Sequence, residues 1–135
     1  MKALQTLVPS IIVFGMLVFF HEFGHFIFAK ISDIKVNEFS LGFGPQIIGI
    51  KSKETNYSIR ILPFGGYVKM EGEDSETSDP RAFNNKSVFA RMGVVLAGPI
   101  MNFILAILLL AAISFSSGVA TTQVTVIPGE PAQQA

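Results

Sequence analysis

Two long apolar stretches constrain this chain more than any other feature. Residues 7–29 hold one charged side chain, Glu22, and residues 92–115 hold none. A helix needs about 20 predominantly apolar residues to cross a bilayer, and both stretches exceed that. Only 15% of the chain is charged and its mean hydropathy is +0.51, whereas soluble domains carry about a quarter charged residues. The shortage points to lipid contact rather than to a large soluble core. The first stretch is too long for the apolar part of a signal peptide and lacks a small-x-small cleavage site. It therefore reads as a retained span.

The charges separate the chain into zones. Nine of the ten Lys and Arg residues fall between positions 30 and 91, and the tenth is Lys2. Under the positive-inside rule the middle segment is cytoplasmic and both termini lie outside. The expected organisation is a first transmembrane helix over residues 1–29, a cytoplasmic-side segment over 30–87, a second transmembrane helix over 88–115 and a polar tail over 116–135. A net charge of zero gives no reason to expect nucleic acid.

Within the first span stands His21-Glu22-Phe23-Gly24-His25. Spacing of four puts both imidazoles on one helix face, one turn apart, close enough to share a metal. This is the His-Glu-x-x-His arrangement of zinc hydrolases, with Glu22 as the base that takes a proton from water. A glutamate and two histidines inside a span carry a transfer cost, up to roughly 3 kcal/mol for the acid, which favours a function for them. Catalytic zinc takes three protein ligands and a water. With no cysteine and only two histidines, the third ligand is expected beyond Ala135, unless Glu38 or Glu71 folds back.

His21 lies nine residues before Lys30, roughly 13 Å along a helix, on the cytoplasmic side but below the surface. Asn102 lies eleven residues after Arg91, roughly 16 Å by the same rise. An antiparallel pair of helices would bring it level with the metal. There it can hold substrate backbone, hold a metal-site residue or simply join the two helices. Gly24, Gly93, Ala97 and Gly98 allow close helix packing, and Pro99 allows a kink. Phe14, Phe19, Phe20, Phe23, Phe26 and Phe28 are expected to face lipid or pack between helices.

Residues 34–70 read as β-structure. Ile47 to Ile50 and the alternating Tyr57-Ser58-Ile59-Arg60-Ile61 flank a polar turn, and Tyr67 to Met70 form another short strand. Gly42-Phe43-Gly44-Pro45 and Pro63-Phe64-Gly65-Gly66 are turn signals. So apolar a sheet is expected to dip into the membrane. There it either binds an unwound substrate along an open edge or serves as scaffold. Residues 71–79 read as a solvated loop, 81–91 as an interfacial lead-in, and Gln123 to Ile127 as a strand opening a further domain.

Several of these motifs resemble the site-2 protease family, in its bacterial RseP-like form. The matching residues are the zinc motif, Gly42-Phe43-Gly44-Pro45, the run from Pro63 to Glu73, and Ala97-Gly98-Pro99-Ile100-Met101-Asn102-Phe103. The resemblance implies an intramembrane zinc endopeptidase, with Zn2+ on His21 and His25 and Glu22 as the catalytic base. It implies a membrane-reentrant β-loop between two transmembrane helices, with Gly65, Gly66, Tyr67 and Asn102 handling substrate. It implies transmembrane protein substrates, such as anti-sigma factors or remnant signal peptides, in the bacterial inner membrane. Val126 to Ala132 is similar to the opening of the family's extracytoplasmic PDZ domain. In the family a later Leu-Asp-Gly motif supplies the third zinc ligand. The competing expectation is a two-span fragment that binds partners without cutting them.

Overall fold

The computed structural model describes residues 2–118. The expected opening of a PDZ domain lies outside the described residues. Two helices, α1 (Lys2–Ile31) and α2 (Val88–Ser117), bracket two long strands, β1 (Val36–Ser52) and β2 (Thr55–Met70). Both helices are long and apolar enough to cross a membrane, over Ala3–Ile31 and Val88–Ser117. Each runs a few residues past its apolar stretch. α1 ends where Asp33, with φ 52°, turns the chain. α2 begins at Ser87, whose hydroxyl accepts from the Ala90 N–H at 3.2 Å. That contact satisfies one of the amides a helix N-terminus leaves free.

The helices run antiparallel, and small residues set their approach. A Cβ on Gly24 would strike the Ala97 carbonyl, and one on Gly93 would strike the Phe28 ring. In lipid, close van der Waals packing replaces hydrophobic burial as the force between helices. The expected role of Gly24, Gly93 and Ala97 in close packing is therefore seen.

The strands differ from the sequence expectation. Several short strands with turns at 42–45 and 63–66 were expected, but β1 and β2 run through both points. The glycines instead shift the register: Gly42 and Gly65 adopt φ 85° and 82°, in the left-handed region open to glycine. The result is a folded-over hairpin. Residues 46–52 pair with 55–60, while Phe39 and Ser40 lie opposite Tyr57 and Ser58 on one side and Val68 and Tyr67 on the other. The four segments thus lie in the order 46–52, 55–60, 38–41, 66–70, with the last as a free edge among the described residues.

The sheet is seated on α1. Phe39 is buried between Phe19, at 6.3 Å, and Phe26, at 5.2 Å between ring centroids. Ala29, Ile34, Val36, Val68, Met70 and Val94 complete this core. Phe19, Phe23 and Phe26 therefore pack against the sheet rather than between helices. Inside the sheet Arg60 donates to Glu38 at 2.8 Å, to Ser40 at 3.0 Å and to the Gly44 carbonyl at 2.6 Å. One guanidinium thus ties the bend of β1 to its first half.

A charge network closes the end near Lys30. Glu54, in the hairpin turn, accepts from Lys30 at 2.5 Å and from Arg81 at 2.7 and 3.1 Å. Arg81 also donates to Asp33 at 2.9 Å. Hydrogen bonds from Arg81, then from Lys30, hold the Glu54 carboxyl down to about 2, from an ordinary 4.5. A depressed carboxylate adds stability above its unfolded pKa and loses it as pH falls through the folded value. Glu54→Gln should therefore cost about 1 kcal/mol at neutral pH. It should also remove the part of the acid-dependent stability loss that falls between about pH 5 and pH 2. Thermal unfolding of the detergent-solubilised protein across that range measures both.

Candidate metal centre

The site forms where α1 and α2 cross. His21 and His25 stand one turn apart with ring centroids 4.8 Å from each other. Their Nε2 atoms converge on the same place: a Cβ on Gly98 would sit 2.9 Å from His21 Nε2 and closer still to His25 Nε2. Only the hydrogen of glycine leaves that space open. Each ring's other nitrogen meets α2. His25 Nδ1 lies 2.7 Å from the Val94 carbonyl, and His21 Nδ1 lies 3.3 Å from Asn102 Nδ2. A carbonyl only accepts, so His25 carries its proton on Nδ1 and leaves the Nε2 lone pair free. Metal-binding histidines are commonly oriented in this way.

Two imidazoles bring Nε2 against the same glycine, an arrangement that suits zinc and its nitrogen ligands. Among the described residues no group of three His, Cys, Asp or Glu side chains is close enough to hold a metal alone. Glu38 is engaged by Arg60 and Ser58, and Glu71 by Lys35 and Asn37. Neither folds back to the histidines.

Glu22 faces the sheet. A Cβ on Gly66 would fall 2.9 Å from Glu22 Cγ and 2.8 Å from the Ser40 carbonyl, so Gly66 lets the free edge pass close beside the carboxylate. Glu22 and His25 line a cavity of about 250 Å³ with Val68, Met70 and Val94. Val68 and Met70 alternate with exposed Lys69, so one face of the edge segment borders the cavity. Glu73 lines it as well, its carboxylate accepting from the Met70 N–H at 3.3 Å. Its acidic neighbours read as a solvated loop, and the side chain is exposed even though it borders the cavity. Of the other expected substrate residues, Tyr67 stacks on Phe43 at 6.3 Å, and the Phe43 ring fills the space a Gly65 side chain would take.

The sequence profile of peptidase family M50 matches residues 9–133. A Clostridium acetobutylicum protein that bears the name putative zinc metalloprotease is 54% identical over 130 residues, covering 96% of this chain and 38% of its own length. Zinc metalloprotease RasP of Geobacillus kaustophilus is 51% identical over 76 residues, covering 56% of this chain and 18% of its own. The regulator of sigma-W protease RasP of Bacillus subtilis is 53% identical over 72 residues, covering 53% of this chain and 17% of its own. The chain thus spans less than two fifths of the length of the relatives it matches.

The cleared space beside Gly98 is open to a direct test. Gly98→Ala should displace both rings and lower zinc affinity by at least about tenfold, the low end of what loss of ligand orientation costs. Metal content after equilibration with buffered zinc measures this, with Gly15→Ala, where a Cβ meets nothing within 4 Å, as the control.

Proposed function

The chain belongs to peptidase family M50, the site-2 metalloprotease family, and from that premise we propose that it carries the zinc-binding and proton-transfer half of an intramembrane endopeptidase active site. One observation carries the reading: His21 and His25 aim their Nε2 atoms at a single space beside Gly98, within a helix apolar enough to span a membrane. His21 and His25 would hold the zinc, and among the described residues no third His, Cys, Asp or Glu joins them. Zinc bound there supplies Lewis acidity and lowers the pKa of a water toward 7.

The protein's own groups do the rest. A helical peptide bond is shielded, so a transmembrane substrate must unwind before it reacts. The free edge at residues 66–70 receives the unwound stretch as an added strand, through Gly66 and Tyr67, while Gly65 lets Phe43 brace the bend. This leaves the scissile carbonyl in the cavity beside Glu22. Glu22 takes a proton from the attacking water and passes it to the leaving amine. The substrates fitting this route are membrane-anchored peptides, such as anti-sigma factors or remnant signal peptides. One relative bears the name regulator of sigma-W protease, which is in keeping with a role in sigma-factor regulation.

The sheet is read as membrane-reentrant. It accompanies α1 from Lys30, which contacts Thr55, to the level of Gly15, which shares a cavity with Gly42 and Pro63. Fifteen helical residues span roughly 22 Å. Exposed Ile47, Ile50 and Phe64 then face lipid. On the Lys and Arg bias the middle segment is read as cytoplasmic and both termini as outside, and the family as a whole suggests the bacterial inner membrane.

In the complete protein, Glu22→Gln should lower cleavage of a model transmembrane substrate by about 10²- to 10⁴-fold, the usual weight of a general base. Zinc content should stay unchanged. Unaltered cleavage would sink the assigned role of Glu22. The orientation has a separate check: a cysteine at Glu73 should resist impermeant thiol reagents in intact cells, and ready labelling from outside would reverse the topology.

A further inference from the structure

Positions 94, 98 and 102 recur every four residues and so share one face of α2. That face meets positions 21 and 25, which share one face of α1. The match places a group of α2 against Nδ1 of each histidine: the Val94 carbonyl at His25 and the Asn102 side chain at His21. Val94 presents an acceptor, since a carbonyl has no proton to give. Asn102 can present either an acceptor or a donor, because its Oδ1 and Nδ2 have the same shape and exchange on turning the amide over.

The choice decides the chemistry of His21. If Nδ2 donates to Nδ1, the one proton of the neutral ring must sit on Nε2, and Nε2 has no lone pair for a metal. If Oδ1 accepts from Nδ1–H, Nε2 is bare. Hydrogen-bond satisfaction does not separate the two orientations. With Nδ2 toward His21, Oδ1 is buried and has no partner; with the amide turned, Nδ2 occupies that place. The convergence of both Nε2 atoms beside Gly98 does separate them, because two rings can share a metal there only if both Nε2 atoms are bare.

We propose that Asn102 is a positioning residue that acts through Oδ1, accepting the Nδ1 proton of His21 as the Val94 carbonyl accepts that of His25. The α2 face thereby sets the tautomer and orientation of both ligands, and Asn102 serves the metal rather than the substrate. This rests on the reading of His21 and His25 as zinc ligands.

Aspartate at 102 keeps the acceptor and loses the donor, whereas leucine keeps the bulk and loses both. In the complete protein, zinc affinity is measured by competition with a chelator. Asn102→Leu should weaken it by about 10- to 100-fold, the usual cost of removing such an outer partner. Asn102→Asp should stay near the wild-type value. An aspartate variant as weak as the leucine variant would show that the donor is needed, and an unchanged leucine variant would show that the contact is idle; either overturns the proposal. Should the leucine variant fail to fold, nitrogen-15 NMR of the wild-type histidines decides. Protonated Nδ1 on metal-free His21 supports the proposal, and protonated Nε2 overturns it. Zinc affinity indifferent to His21→Ala and His25→Ala would instead overturn the metal site itself. That result is distinct from a zinc site that ignores Asn102.

Discussion

The close crossing of α1 and α2 is the contact on which everything else depends. The Gly24 Cα faces the Ala97 carbonyl with no room for a methyl group between them, and Gly98 faces the two imidazoles in the same way. At that separation the Val94 carbonyl reaches His25 Nδ1 at 2.7 Å and Asn102 reaches His21 Nδ1. A side chain at either glycine would spread the helices and open both contacts. Helices in lipid satisfy their backbone internally and gain from packing rather than from leaving water. The geometry of the candidate metal centre is thus a consequence of small-residue packing.

The sheet adds a second wall held at two levels. Midway along α1, Phe39 wedges between Phe19 and Phe26. At the Lys30 end, Glu54 is gripped by Lys30 and Arg81, which binds the hairpin turn to the segment leading into α2. Fixing the sheet at both levels fixes where its free edge passes Glu22. Arg60, bonded to Glu38, Ser40 and Gly44 at once, keeps β1 bent so that its first half lies inside the sheet and 66–70 remains the edge.

Much of the architecture was legible locally. The spans follow from hydropathy, the histidine pair from a spacing of four, and the strand at Tyr57 to Ile61 from alternation. What escaped has a common cause. Phe19, Phe23 and Phe26 could not be assigned to the sheet, because lipid and protein interior are equally apolar and no pattern along α1 distinguishes them. The glycine and proline clusters at 42–45 and 63–66 signal departure from regular strand, which a turn and a register shift satisfy alike. Glu71 sits in an acidic run, where charge alone suggests solvent, yet Lys35 and Asn37 hold it half-buried.

By itself the sequence determined two apolar helices, a β-rich segment between them, and a motif able to bring two imidazoles and a carboxylate to one helix. These are properties of neighbours within a turn or two along the chain, and periodicity reads such properties directly. Only the tertiary structure decided what stands behind each imidazole and which sheet edge runs beside Glu22. The partners of His25 and His21 on α2 are 69 and 81 residues away. Those pairings depend on how two glycines let the helices cross, and they put a group of α2 behind each ring.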